Sequence, residues 1–81
     1  MTKTVHIQYF AILRDQRGLS SEQYETSAPT AKMLFAELHN KYDFSLSADR
    51  LQLAINDNFT SWDSEINNND KIVFIPPVAG G

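Results

Sequence analysis

The chemistry in this sequence is expected at its C-terminal end, where two prolines precede small residues and a pair of glycines. The segment reads Pro76, Pro77, Val78, Ala79, Gly80 and Gly81. Adjacent prolines favour an extended backbone, so the segment should leave a folded domain stiffly. Six residues at about 3.3 Å each can reach about 20 Å from the domain surface.

The two glycines suit this end of the chain to be handled by another enzyme. Gly80 and Gly81 carry no side chain, so they should fit a channel that is only as wide as a backbone. A terminal α-carboxyl group has a pKa of about 3.5 and is ionised at neutral pH. An enzyme that threads the tail could present this unhindered nucleophile to ATP and form an acyl-adenylate. On this hypothesis Gly81 is a substrate rather than part of an active site.

Composition argues against several other function classes. The chain has 81 residues, enough for one domain, and a net charge of −3, which lacks the basic footprint of a nucleic-acid-binding protein. The absence of cysteine removes disulfides, thiolate metal sites and catalytic thiols. The stretches "NDNFTS" and "NNNDK" lack the glycine and glutamate of a calcium loop, and no motif links His6 to His39. We therefore expect no metal site and no bound cofactor.

The chain is also expected to act without a membrane. Its first residues, "MTKTVHIQYF", do not resemble a signal peptide, and no stretch approaches the roughly 20 apolar residues of a membrane span. A cytoplasmic location is the expectation that follows.

Alternating and periodic apolar positions predict the elements that carry the tail. "TVHIQYF" alternates as a strand, with Val5, Ile7 and Tyr9 on one face and Phe10 on the other. "LRDQRGLSS" is predicted to be a loop that turns at Gly18, and "EQYET" to be a polar edge strand. "LQLAIN", a short "FTSW" and "KIVFI" complete the set of strands. Four consecutive apolar residues place "KIVFI" at the centre of the sheet.

One main helix is predicted in "PTAKMLFAELHNKY". The apolar stripe of this segment recurs at helical spacing, and Thr30 is expected to cap its N-terminus. Glu37 and Lys41 are expected to pair across one turn on the solvent side.

The order of these elements predicts an α+β protein with a β-grasp, or ubiquitin-like, fold. A mixed four- to five-stranded sheet would pack on the helix in residues 1–75, and residues 76–81 would form the extended C-terminal tail. One helix covers only one face of such a sheet, so the other face should stay open or meet a partner. Phe10 and Phe59 are candidates for exposed apolar contacts.

Three segments resemble a known family. "YFAILRDQRG", "LAINDNFTSW" and "NDKIVFIPPVAGG" are similar to segments of the small subunits of molybdopterin synthase, which are ubiquitin-like sulfur carriers. The most specific piece is Pro-Pro-Val-x-Gly-Gly at the terminus. Asn69-Asp70 departs from the Gly-Asp that is usual in the family.

The resemblance implies a carrier in molybdenum cofactor biosynthesis that is not an enzyme on its own. An activating adenylyltransferase would use ATP to adenylate Gly81, and a sulfur donor enzyme would convert it to a thiocarboxylate (1-thioglycine). The charged tail would then enter the synthase large subunit, in a heterotetramer of two small and two large subunits. There the sulfur would pass to cyclic pyranopterin monophosphate.

The resemblance also suggests where the large subunit would dock, namely on the open sheet face and the base of the tail. Phe10, Phe59 and Ile75 match the hydrophobic contact positions. Three alternatives stay open at this point: a sulfur carrier of the thiamine pathway, a ubiquitin-like protein modifier, and a plain β-grasp binding module whose tail is incidental.

Overall fold

The structure, a computed structural model, describes residues 2–77, which form one mixed sheet with helices on one side. The elements in chain order are β1 (Lys3–Tyr9), α1 (Ala11–Arg17), β2 (Ser21–Thr26), α2 (Ala31–Tyr42), a 3₁₀ turn (Ala48–Arg50), β3 (Gln52–Ile55), β4 (Asn58–Phe59) and β5 (Lys71–Ile75). Neither α1 nor α2 is long and apolar enough to cross a membrane.

The five strands lie in the order β2-β1-β5-β3-β4. β1 and β5 run parallel, and every other neighbouring pair is antiparallel. β5 is therefore the central strand and β2 an edge strand, as the sequence predicts. A mixed five-stranded sheet packed on one main helix confirms the predicted β-grasp fold.

The core lies between α2 and one face of the sheet. On β1 it takes Val5, Ile7 and Tyr9, because alternate strand residues point to the same face. On β5 it takes Ile72 and Phe74, which lie beside Ile7 and Tyr9 in the parallel register. The predicted central strand is thus buried where it meets the helix.

The main helix begins and packs as its sequence predicts. The Thr30 hydroxyl accepts a hydrogen bond from the Met33 amide at 3.3 Å, which satisfies one of the unpaired N–H groups of the first turn. The buried face consists of Ala31, Leu34, Phe35 and Leu38. The Phe35 ring packs edge-on against Phe74 of the sheet, with 5.1 Å between ring centroids.

The segment after β1 differs from its prediction, because residues 11–17 form the helix α1 rather than a loop. Phe10 occupies the N-cap without a capping side chain, and Leu13 is the only buried residue of the helix. Gly18 does turn the chain: it ends α1 in the left-handed region, at φ 84°, and its amide donates to the Arg14 carbonyl at 2.8 Å.

The predicted Glu37–Lys41 pair is wrong. The Glu37 carboxylate accepts hydrogen bonds from the hydroxyls of Tyr24 at 2.8 Å and Thr26 at 3.1 Å, both on β2. The Lys41 ammonium lies over the Tyr24 ring instead, 5.1 Å from its centroid, and no ion pair between Glu37 and Lys41 occurs within residues 2–77. Contacts between α2 and the edge strand therefore replace the local pair.

Polar turns close the end of the sheet opposite the tail. Asn56 and Asp57 join β3 to β4 with φ values of 52° and 72°, the left-handed pair that a type I′ hairpin requires. The Asn56 side chain donates to the Asp70 carboxylate at 2.9 Å and accepts from the Lys71 amide at 2.9 Å. These bonds fix the position of the first residue of β5. The last residue of β5, Ile75, from which the tail continues, is thereby held in a defined position.

Candidate functional site at the root of the tail

The tail leaves the domain from the middle of the sheet, because it continues the central strand. Ile75 is the last residue of β5 and is half-buried, Pro76 is buried, and Pro77 is exposed. Proline cannot donate to a strand ladder, so pairing stops there. The predictions for Val78, Ala79, Gly80 and Gly81 concern residues outside those that the structure describes.

An apolar depression of about 730 Å³ lies beside this root. Its walls come from three parts of the chain: the start of α1, the segment between α2 and β3, and the end of β5. The lining residues are Phe10, Ala11, Ile12, Leu46, Arg50, Ile75, Pro76 and Pro77. Two of the predicted contact residues, Phe10 and Ile75, therefore lie in one depression.

The strand register and a backbone turn bring Phe10 to this place. Tyr9 pairs with Phe74, so continuing the parallel register places Phe10 beside Ile75. Ala11 follows with φ 52°, a left-handed conformation that costs a non-glycine residue on the order of 1 kcal/mol. This turn starts α1 at once and leaves Phe10 and Ile12 each 41% exposed.

Phe59, the third predicted contact residue, lies on the other side of the root. It ends the β3–β4 hairpin, opposite Ala54, and is 72% exposed. It lines a second depression of about 360 Å³ together with Leu51, Gln52, Leu53, Thr60 and Trp62.

A third depression of about 310 Å³ joins the first two. It shares Arg50, Ile75, Pro76 and Pro77 with the first and Leu51 and Gln52 with the second, and it adds Asp49. We call these three adjoining depressions the tail-root belt. The belt brings the three predicted residues onto one continuous surface, with Ile75 near its centre and Phe10 and Phe59 toward its ends.

Sequence reasoning proposed only Phe10, Phe59, Ile75, Pro76 and Pro77 for this region, and it missed the other belt residues, among them Ile12, Leu46 and Arg50. Ile12 was hidden by the incorrect loop prediction, because a seven-residue helix with one buried side chain shows no periodic apolar stripe. Leu46 precedes the short 3₁₀ turn between α2 and β3, and Arg50 is the last residue of that turn. No local signal marks them, because the chain fold alone brings them to β5.

The sheet face opposite α2 carries both polar and apolar side chains. Its register aligns His6 with Lys71 and Gln8 with Val73, while Val73 also pairs with Ala54. Val73 and Ala54 are each only 7% exposed, and Phe59 is the β4 partner of Ala54. Among the large apolar side chains that are exposed in residues 2–77, Phe10, Ile12 and Phe59 lie on the belt, whereas Leu19 and Met33 lie outside it.

The C-terminal end of α1 is held by an ion pair with two further partners. The Arg17 guanidinium donates to both oxygens of Glu22 on β2, at 2.9 and 2.8 Å, and lies 4.1 Å from the ring centroid of Tyr42. The buried Tyr9 hydroxyl donates to the same carboxylate at 2.6 Å. α1 is thereby tied to β1, β2 and α2.

This network perturbs the ionisation of its members. Hydrogen bonds from Arg17 hold the pKa of the Glu22 carboxyl below its usual value. Burial, together with the hydrogen bond to Glu22, raises the pKa of the Tyr9 hydroxyl well above its ordinary value of 10. The carboxylate is thus ionised and the phenol neutral across the physiological range.

A second clamp holds α1 to the opposite wall of the first depression. The Gln16 side-chain amide donates to the Ser45 hydroxyl at 3.0 Å, and its oxygen accepts from the Ser45 backbone amide at 3.1 Å. Ser45 directly precedes Leu46, which lines the depression. The clamp therefore fixes the distance between the two walls.

The belt offers apolar contact, one guanidinium and one carboxylate. Among residues 2–77, no group of three or more histidine, aspartate or glutamate side chains could hold a metal ion. An exposed apolar surface with few charges is typical of sites that contact another protein.

Comparisons with known sequences agree with the resemblance in the sequence. The ThiS family model matches residues 7–81. The molybdopterin synthase sulfur carrier subunit of Haemophilus influenzae is 31% identical over 80 residues, which cover 95% of this chain and 99% of the relative. The Escherichia coli subunit of the same name is 26% identical with the same coverage. The family resemblance predicted from the three segments is confirmed.

Solved structures share the fold over almost the whole chain. A Pyrococcus furiosus protein assigned as molybdopterin converting factor, subunit 1, gives a TM-score of 0.79 at 26% identity, covering 94% of this chain and 99% of that one. The small archaeal modifier protein 1 of Methanosarcina acetivorans gives 0.81 at 19% identity, covering 100% and 99%. A complex of subunits 1 and 2 of molybdopterin-converting factor from Helicobacter pylori gives 0.65 at 24% identity, covering 96% and 99%.

Proposed function

This chain belongs to the ThiS family, and from that premise we propose that it is a sulfur carrier that serves as the small subunit of a molybdopterin synthase. One observation carries the proposal. The Haemophilus influenzae relative, which matches along almost its entire length, is a molybdopterin synthase sulfur carrier subunit. The family model matches residues 7–81, a range that includes the tail as well as most of the domain.

The proposed chemistry takes place at the Gly81 carboxylate and proceeds in two steps. First, a carboxylate oxygen attacks the α-phosphorus of ATP and displaces pyrophosphate, which leaves an acyl-adenylate. Second, hydrosulfide released by a donor enzyme attacks the carbonyl carbon and displaces AMP, which leaves a thiocarboxylate and a proton. The activating enzyme supplies ATP and the catalytic groups, and this chain supplies the acyl group.

The residues before Gly81 fit this use. Pro76 is buried, so it anchors the tail, and Pro77 is exposed and fixes its own φ near −65°. The tail beyond them narrows from Val78 through Ala79 to Gly80. We propose that this taper lets a partner enclose the backbone closely while its catalytic groups reach the carbonyl carbon.

The partner in the second stage is proposed to be the large subunit of the synthase. The Helicobacter pylori structure is a complex of subunits 1 and 2 of molybdopterin-converting factor, and its fold matches this chain. By analogy, the large subunit would dock on the tail-root belt and receive the thiocarboxylate. Two small and two large subunits would form a heterotetramer, in which the groups acting on cyclic pyranopterin monophosphate belong to the large subunit.

The family premise also bears on the alternatives. The small archaeal modifier protein 1 is only 19% identical to this chain, so this similarity supports a shared fold and not a shared function. The two sequence relatives, both molybdopterin synthase sulfur carrier subunits, favour that pathway over thiamine synthesis or protein modification. The third alternative, a plain β-grasp binding module, gives no explanation for the C-terminal sequence Pro-Pro-Val-Ala-Gly-Gly.

Parallel activation reactions test the proposal. The chain is incubated with ATP, a sulfur donor and either a molybdopterin-type or a thiamine-type activating enzyme, and the products are read by intact mass. We expect thiocarboxylate at Gly81 with the first enzyme and none for a chain that lacks Gly81. Formation with the thiamine-type enzyme alone, or conjugation to lysines of other proteins, would contradict the proposal.

A further inference from the structure

Charged groups are rare on the tail-root belt. Of the described residues that line its three depressions, only Arg50 and Asp49 are ionisable acids or bases. The Asp49 carboxylate accepts a hydrogen bond from the Ser47 hydroxyl and so has a local partner. Arg50 lines both depressions that touch Pro76 and Pro77. It is thus a cation placed in apolar surroundings at the root of the tail.

The structure gives Arg50 no evident role in holding the fold. Its side chain is exposed, and no carboxylate within residues 2–77 lies in ion-pair distance of it. The other two arginines differ in this respect: Arg17 is bound to Glu22, and Arg14 approaches Asp15 at 3.9 Å. A guanidinium that the domain itself does not use is available to a binding partner.

The surroundings of Arg50 would strengthen an ion pair that forms on binding. When a partner covers the belt, Phe10, Leu46 and Ile75 exclude water from the same depression. Attraction between opposite charges grows as the local dielectric falls, so a covered pair contributes more than an exposed one. The apolar stem of Arg50 can also remain in contact with the depression.

Because the chain as a whole is negatively charged, Arg50 can direct an acidic partner to one place on the domain. The net charge is −3, so an acidic partner surface is repelled by most of the domain and attracted where Arg50 lies. A partner that carries a carboxylate beside an apolar side chain would therefore bind in one orientation. The carboxylate would reach Arg50, and the apolar side chain would enter the depression between Phe10 and Ile75.

We propose that Arg50 selects the partner by charge, and that the partner's contact element is an apolar side chain flanked by aspartate or glutamate. This inference rests on the proposed function in taking the large subunit of molybdopterin synthase as that partner. It adds a specificity-determining residue and the chemistry of the element that binds there.

Binding to the cognate large subunit, measured by titration calorimetry, tests the role of Arg50. Arg50→Met keeps most of the apolar stem and removes the charge. Lys32→Met removes the same charge from α2, outside the belt, and is the matched control. At an ionic strength of about 0.05 M we expect Arg50→Met to weaken binding about 10-fold and Arg50→Glu about 100-fold, with Lys32→Met within about twofold of the unsubstituted chain.

Salt dependence and a second partner complete the test. The difference between the unsubstituted chain and Arg50→Met should shrink only in part at about 0.5 M salt, because salt screens the long-range attraction of Arg50 for an acidic partner but weakens a covered ion pair much less. Equal affinity of Arg50→Met and the unsubstituted chain would overturn the inference and leave the proposed function standing. A loss of affinity of Arg50→Met for the activating enzyme alone, with unchanged affinity for the large subunit, would have the same consequence. Failure of the unsubstituted chain to bind the large subunit would overturn both.

Discussion

Replacing Phe59 with alanine should separate binding from folding, because this side chain is largely solvated in the free domain. Phe59 is 72% exposed and lies at the end of the short β3–β4 hairpin. A change here removes apolar surface that a partner could cover and disturbs little that the domain itself buries. We expect a marked loss of affinity for the large subunit with a nearly unchanged free energy of unfolding.

The exposed fraction sets the size of both effects. A phenylalanine presents about 200 Å², so about 145 Å² of Phe59 is available, and covering it would contribute at most about 3.6 kcal/mol at about 25 cal/mol per Å². Ordering costs reduce this value, so we expect a loss of about 2 kcal/mol, or about 30-fold in affinity. The smaller area buried within the domain limits destabilisation to below about 1 kcal/mol.

Two measurements on the same variants check these values. Calorimetry gives the affinity for the large subunit. Urea unfolding gives stability, followed by the fluorescence of Trp62, the single tryptophan, which stacks on Phe74 in the core. Met33→Ala is the matched control, because Met33 is 54% exposed but lies on α2 outside the belt.

The reasoning would be refuted by either of two results. Unchanged affinity of Phe59→Ala would show that the partner does not cover this part of the belt. An equal loss for Met33→Ala would show that any exposed apolar side chain matters, and that the belt has no special role.

Three further predictions concern Phe10 of the belt and two residues that hold α1 in place beside it. Phe10→Asp should weaken binding to the large subunit by at least about 10-fold in calorimetry while circular dichroism stays unchanged, since Phe10 is 41% exposed. Gln16→Ala should cost about 1 kcal/mol in urea unfolding and slow sulfur transfer, because the bonds to Ser45 hold the two walls together. Glu22→Gln should cost about 2 kcal/mol at neutral pH. Since Arg17 lowers the Glu22 pKa in the folded state, this cost should fade as pH drops below about 4.3, which urea unfolding across pH would show.

Much of the fold follows from local patterns. The alternation in β1 and the apolar run of β5 predict which residues are buried, because each face of a strand repeats every second residue. Thr30 caps α2 through a bond that spans three residues, which a sequence shows directly. Exposure of Phe10 and Phe59 is also confirmed, since one lies off the core face and the other follows a turn.

The incorrect predictions involve contacts between distant parts of the chain. α1 has seven residues and one buried side chain, too little for a periodic stripe, and a helix of this length is marginal alone. Its stability comes from Leu13 in the core and from Arg17 bound to β2. Glu37 likewise bonds to Tyr24 rather than to its neighbour on the helix. Spacing along the sequence carries no signal for such partners.

The same limit applies to the candidate site. The tail and its taper are visible in the sequence, because proline and glycine have defined conformational effects. The belt is not, since it is built where α1, the segment before β3 and the end of β5 meet. The position of Arg50 at the root of the tail could therefore be identified only from the structure.

The most direct test of the central claim measures conversion of cyclic pyranopterin monophosphate by the large subunit with thiocarboxylated chain as the only sulfur source. We expect two chains to be consumed for each dithiolene formed. A chain that lacks Gly81 should give no product, with an unchanged melting temperature. Product formation with the Gly81-deleted chain, at the rate of the full chain, would contradict the account.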